Sequence, residues 1–230
     1  MDLILGGLGN ALNLLWQRDP EVMSILWLSL LISGSATCLS LLLGIPLGTA
    51  LALARFPGRR AIISLVNTGM GMPPVVVGLV VSIFLWRSGP LGALRLMYTP
   101  TAMVVAQCVI ASPIIVGITM AAMGQLDPKL RLQMLGLGAS RWQLLLVLLR
   151  EARLPMLAAV MAGFGGVISE VGAVMMVGGN IPGDTRVLTT AIVLETSKGN
   201  FDTALALGLI LLLLAYAVNL ALTLVQQRRA

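Results

Sequence analysis

Histidine is absent from this 230-residue chain, and only 10% of its residues are charged, against roughly 25% in soluble domains. Without imidazole there is no Ser–His or Cys–His nucleophile, no H-E-x-x-H zinc site and no bis-histidine haem. Cysteine is almost absent too. Cys38 and Cys108 both lie in apolar runs without C-x-x-C spacing and read as small core residues. No G-x-x-x-x-G-K-[ST] stretch occurs, so the chain has no P-loop for ATP. The sequence therefore predicts no catalytic residues, no metal site and no cofactor, and a chain that is not itself an enzyme. The pI near 10.4 does not imply nucleic acid, because the basic residues punctuate apolar runs instead of forming a stripe.

What is abundant is apolar surface. Hydrophobic residues make up 58% of the chain and the mean hydropathy is +0.98. Such a chain cannot cover a water-facing exterior, so a soluble fold is excluded. The expected class is all-α: a polytopic protein of the lipid bilayer, with 25 glycines and 11 prolines for close packing and broken helices. Apolar runs at 22–54, 61–86, 99–123, 154–177 and 201–225 predict five core transmembrane helices, each longer than the ~20 residues a span requires. Residues 1–16 are apolar but short, with Gly6, Gly7, Asn10 and Asn13, and predict an N-terminal interfacial helix. Asp2 in place of a basic leader makes this stretch a poor signal peptide. Residues 1–230 read as a single transmembrane domain, and no regulatory domain is expected after Ala230.

Basic residues set the expected orientation. Ten lie in one set of connections: Arg55, Arg59, Arg60, Lys129, Arg131, Arg141, Arg150, Arg153, Arg228 and Arg229. Five lie in the other: Arg18, Arg87, Arg95, Arg186 and Lys198. This asymmetry predicts an inner-membrane, multi-pass protein with its N-terminus outside and its C-terminus in the cytoplasm.

Two connections exceed simple turns. Residues 125–153, expected in the cytoplasm, predict two short helices around Gly136-Leu137-Gly138-Ala139-Ser140, where Gly138 permits a reversal that a Cβ obstructs. Residues 178–200, expected outside, combine a Gly178–Asp184 turn cluster with a short helix over 187–194 that can line a cavity. Among intramembrane positions only Glu170 is a clear ionisable residue. Ion-coupled carriers usually have several, which favours an external motor docked on 125–153. Gly163, Gly165 and Gly166 predict close helix contact, and Gly44-x-x-x-Gly48 does so more weakly.

Several motifs resemble a known family. Leu137-Gly138-Ala139-Ser140-Arg141-Trp142, an apolar helix and Leu154-Pro155 resemble the EAA loop of permease subunits in type I ATP-binding-cassette importers. The Glu-Ala-Ala expected six residues before the glycine is Leu132-Gln133-Met134 here, and the spacing from glycine to Leu-Pro is longer than usual. Arg55-Phe56-Pro57-Gly58-Arg59-Arg60 and Met72-Pro73-Pro74-Val75-Val76-Val77-Gly78-Leu79 resemble the oxyanion permeases for molybdate, tungstate and sulfate. Arg150-Glu151-Ala152-Arg153, Ile168-Ser169-Glu170-Val171-Gly172-Ala173 and Thr185-Arg186-Val187-Leu188-Thr189-Thr190-Ala191-Ile192 are most similar to the Tup-type tungstate permeases.

The resemblance implies a MetI-like fold and a homodimer with a central path. It also implies two copies of a cytoplasmic ATPase, an extracytoplasmic substrate-binding protein, and ATP-driven closure that turns the path outward. Leu137, Gly138, Ala139, Ser140 and Arg141 are then the ATPase-coupling residues. The candidates for the path or gate are Glu170, Arg186, Thr189 and Thr190. Two readings stay open for Glu170, a structural ion pair or hydrogen bond, with Arg186 or Lys198 as candidate partners, or a gate whose pairing differs between states. Arg186, beside the hydroxyls of Thr185, Thr189 and Thr190, is the best candidate anion contact; its other reading is a salt bridge to Asp184 or to the binding protein. The rival functions are a molybdate or sulfate permease of the same class, and a self-sufficient secondary transporter or channel.

Overall fold

A computed structural model describes residues 2–227, apart from the side chains of residues 2–6 and Leu8. Arg228 and Arg229, which entered the basic count, and Ala230 lie outside the described residues. The described residues form eleven α-helices and one 3₁₀ turn, with no strand among them. In order these are α1 (Asp2–Trp16), α2 (Pro20–Leu53), α3 (Arg59–Met70), α4 (Pro74–Leu85), the 3₁₀ turn Gly92–Leu94 and α5 (Pro100–Gly124). Then come α6 (Pro128–Gly136), α7 (Arg141–Glu151), α8 (Arg153–Ile168), α9 (Gly172–Gly178), α10 (Leu188–Ser197) and α11 (Phe201–Gln227).

Three helices, α2, α5 and α11, are each long and apolar enough to cross a membrane. The other two expected spans are not straight. The run 61–86 divides into α3 and α4, bent by 106°, and the run 154–177 into α8 and α9, bent by 58°. The first break follows from Gly71-Met72-Pro73-Pro74. The prolines remove two backbone donors, and the residue before each proline disfavours the helical region. The second break contains no proline and is set by tertiary contacts described below.

α5 is the central post. Its 25 residues are about 37 Å long, enough to cross the hydrocarbon core, and α2, α3, α8 and α9 pack around it. α2 lies closest. A Cβ on Gly48 would meet the Val116 carbonyl at 2.6 Å, so the Gly44-x-x-x-Gly48 spacing marks a real helix contact. Of the three glycines expected to mediate contact, Gly163 does so, against Ile115, while Gly165 faces open space and Gly166 is only in ordinary contact with Ile114. Cys108 is partly buried beside Ser40 and Ser112, but Cys38 is exposed on α2, contrary to its reading as core. α1, 15 residues and about 22 Å long, packs on α11, where Ala11 shares a buried cluster with Ala206, Leu207 and Ile210.

Candidate functional site

Three regions hold the residues singled out by sequence: the base of the bundle at α6 and α7, the two helix breaks, and the top at 178–200.

At the base, local chemistry fixes the turn. Asp127 caps α6 by accepting from the Lys129 amide at 2.8 Å, with Pro128 as first helical residue. α6 ends in paired reverse bonds: the Ala139 amide donates to Met134 O and the Gly138 amide to Leu135 O, both at 3.0 Å. That arrangement places Gly138 at φ +79°, the left-handed region natural to glycine. Ser140 then opens α7. Its Oγ accepts from the Gln143 amide at 3.3 Å, and its own amide donates to Gln143 Oε1 at 2.8 Å. The expected pair of short helices around a glycine turn is present.

Leu130, Met134, Leu144 and Leu148 face the bundle and pack around Met123 and Ala152. Leu132, Leu137 and Trp142 face outward, with Leu137 82% and Trp142 75% exposed. Gly138, Ser140 and Arg141 are exposed and Ala139 half-buried. Leu132 and Trp142 were not among the sequence candidates. Their signal was the division of α6 and α7 into two apolar faces, of which only one can reach the bundle.

The two breaks share one cavity of about 280 Å³. It is lined by Gly69 to Pro74, by Val77, Ile110 and Ile114, and by Gly166 and Glu170. Ile110 and Ile114 lie midway along α5, so the cavity sits at mid-depth. The arms beyond the breaks touch closely: a Cβ on Gly78 of α4 would meet the Ala173 Cα of α9 at 2.5 Å.

Three side chains hold the α8–α9 break. Gln107 of α5 is buried and donates through Nε2 to Val167 O at 2.9 Å. Thr189 of α10 donates to Glu170 O at 3.0 Å, and Glu170 Oε1 accepts from the Ala173 amide at 3.1 Å, capping α9. These bonds tie the bent backbone to α5 and α10 and give the Ala173 amide at the start of α9 an acceptor. Gln107 was missed by sequence, because a lone glutamine in an apolar run carries no periodic signal. Glu170 pairs with neither Arg186 nor Lys198 among the described residues, so the expected partners are corrected: of the ion pair or hydrogen bond, the structure has a hydrogen bond, to the Ala173 amide in the first turn of α9.

At the top, Arg186 pairs with Glu21 at the start of α2, Nη1 to Oε1 at 3.1 Å, and not with Asp184. Its Nε is buried without a partner among the described residues. The neighbouring hydroxyls serve the backbone: Thr185 donates to Gly178 O at 2.6 Å and Thr190 to Val187 O at 3.0 Å. The Leu188 amide donates to Ser29 Oγ at 2.9 Å, so α10 is bonded to α2 as well. Lys198 sits 2.7 Å from Glu195. Hydrogen bonds from Lys198 first and Asn200 second hold the Glu195 carboxyl below its ordinary range. The four path candidates thus divide: Thr189 and Glu170 meet at the break, while Arg186 and Thr190 secure the top.

Known proteins match this architecture along nearly its whole length. The family model described as "Binding-protein-dependent transport system inner membrane component" matches residues 44–230. The tungstate uptake system permease protein of Peptoclostridium acidaminophilum is 40% identical over 95% of this chain and 96% of its own. That of Campylobacter jejuni is 36% identical over 95% of this chain and 92% of its own. Among solved structures, an inward-facing MetNI methionine ABC transporter aligns with a TM-score of 0.75 at 20% identity, covering 95% of this chain and 98% of that one. The breaks, the base turn and the post-like α5 are therefore features of a member of the binding-protein-dependent transport system inner membrane components, the family to which this chain belongs.

Proposed function

We propose that this chain is the membrane-spanning subunit of an importer that brings tungstate into the cytoplasm, with ATP hydrolysis supplied by a partner subunit. The observation that carries the reading is the whole-chain likeness to permeases of tungstate uptake systems. Family membership makes it a multi-pass protein of the inner membrane that works with an ATPase and a substrate-binding protein. Residues 1–230 act as one permease domain, paired in a homodimer with two ATPase copies below and the binding protein above.

The exposed Leu137 and Trp142, on a turn fixed at both sides, give an apolar knob for the ATPase, with Arg141 as its polar neighbour. Gly138 and Ser140 set the angle of that knob, with half-buried Ala139 between them. At mid-depth the anion passes the cavity of the breaks. Glu170 borders that route as a capping carboxylate that repels a dianion, so the route does not trap its cargo. Arg186 acts through its ion pair with Glu21, Thr189 through the backbone of the break and Thr190 through that of the top connection, and none of the three as a ligand of the anion.

Reconstitution with ATPase and binding protein tests the substrate. Tungstate is expected to be taken up in preference to molybdate and sulfate, and preferential uptake of either rival overturns the assignment. Gly138→Leu, forced into the left-handed region at a cost of about 1–2 kcal/mol, is expected to assemble but lose binding-protein-stimulated ATPase activity. Wild-type stimulation contradicts the coupling role. Orientation is tested by single cysteines: Ser140→Cys is expected to label only from the cytoplasm and Asp184→Cys only from outside. The reverse pattern inverts the orientation.

A further inference from the structure

Two kinds of surface cover this bundle. Along the middle of α2 and α11 the exposed residues are mostly large and apolar, among them Leu39, Leu42, Leu47, Leu212, Leu213 and Leu220. That is the surface lipid requires. α3 differs. At 3.6 residues per turn, Arg60, Ser64, Asn67 and Gly71 fall within a sector of about 60°, with Thr68 beside it, and all five are exposed. Ile63, Val66 and Gly69 lie on a second face, and Gly69 sits against Pro113 of α5. Ala61 and Leu65 form a third face that is exposed and apolar. α3 thus has a face for α5, a face suited to lipid, and a polar face without a partner among the described residues.

A second helix shows a matching open surface. Along one face of α8 the exposed positions are Pro155, Ala158 and Ala162, with half-buried Gly165 and exposed Ser169 continuing that face, while exposed Arg153 lies on the opposite side of its first turn. No side chain from Ala158 to Ser169 on that face is longer than a hydroxymethyl. Both faces end at the cavity between the breaks, α3 through Gly71 and α8 through Gly166 and Glu170. At the other end α3 starts beside the base of α2, where Arg59 Nε donates to Leu51 O at 2.6 Å.

We infer that the Arg60–Ser64–Asn67–Gly71 face of α3 is the lower half of the anion path, a wet stripe leading from the mid-depth cavity to the base. The inference rests on the oxyanion-importer reading. An amide and a hydroxyl turned toward lipid would lose hydrogen bonds they make in water, so this face has water or an anion before it. Thr68 Oγ1 already donates to Ser64 O at 2.9 Å, which leaves the Asn67 amide and the Ser64 hydroxyl as donors. A tetrahedral oxyanion accepts such neutral hydrogen bonds, and Arg60 at the lower end favours its negative charge. Neutral donors in series bind weakly at each step, as a route that must release its cargo requires.

The test uses the complete transporter, with ATPase and binding protein, in a background carrying Cys38→Ser and Cys108→Ala. Ser64→Cys and Asn67→Cys are compared with Leu65→Cys, using the negatively charged reagent methanethiosulfonate ethylsulfonate. Water supports the reactive thiolate and hydrocarbon suppresses it, so the two stripe cysteines are expected to react roughly tenfold faster or more. Their modification is expected to block uptake. Equal reactivity of all three sites, or undiminished uptake after stripe modification, overturns the inference. Uptake by the unmodified background separates the two levels. If it carries molybdate in place of tungstate while the stripe reacts, the substrate reading falls and the path stands.

Discussion

Between α3 and α4 the chain turns on Gly71, Pro73 and Pro74 with no side-chain cap, whereas between α8 and α9 it turns on Ser169 and Glu170 under three side-chain bonds. The first break is written into the covalent chain: proline supplies no donor and fixes its own φ. The second is imposed from outside by Gln107 of α5 and Thr189 of α10, with Glu170 closing the start of α9. The first therefore persists wherever its neighbours move. The second depends on where α10 stands, and α10 is bonded to α2 through Ser29 near the top. A shift of the top connection has a bonded route to the cavity through Thr189 and Glu170, and none of comparable kind through Pro73.

The largest effect is expected where the two breaks meet. Gly78→Leu places a side chain into the Ala173 backbone and should cost about 3 kcal/mol or abolish assembly, read as thermal stability of the purified protein. Wild-type stability would show that the breaks are independent. Gln107→Leu comes next, with an expected loss of about 1 kcal/mol from the Nε2 bond to Val167 O, a carbonyl that also accepts from the Glu170 amide at 3.2 Å. Thr189→Val, which keeps the shape and removes the donor, should cost about 1 kcal/mol and alter the ratio of basal ATPase activity to uptake. Glu170→Ala removes a cap at a cost of about 1 kcal/mol, while Glu170→Gln keeps an acceptor for the Ala173 amide and should retain stability. Destabilisation by Gln equal to that by Ala would contradict the cap and point to an ionic role. The smallest effect is expected at Pro73→Ala, about 0.5 kcal/mol, because Gly71 and Pro74 still define the turn. A larger loss there than at Gln107 would reverse the comparison.

The same contrast explains what was legible in the sequence. Long apolar runs gave α2, α5 and α11 to within a few residues, because length and hydropathy are local. The turn at Gly138 and Ser140 was readable for the same reason, since its bonds close within ten residues. Pro73 and Pro74 were in view but were read through, as average hydropathy over 61–86 hides a break. The α8–α9 bend has one local tie, from Glu170 to the Ala173 amide, and its other ties run from Val167 to Gln107 and from Glu170 to Thr189. Arg186 was recognised as a notable residue, but its partner Glu21 lies 165 positions away, while Asp184 was merely adjacent. The polar stripe of α3 was present as a helical period and was lost when the run was treated as one uniform span.

The proposed function makes this chain a passive route whose use depends on a separate motor at its base. The most direct measurement is tungstate accumulated in proteoliposomes containing the chain with binding protein, with and without the ATPase subunit, in the presence of ATP. Accumulation against a gradient is expected only when the ATPase is present. Concentrative uptake by the chain and binding protein alone would contradict it.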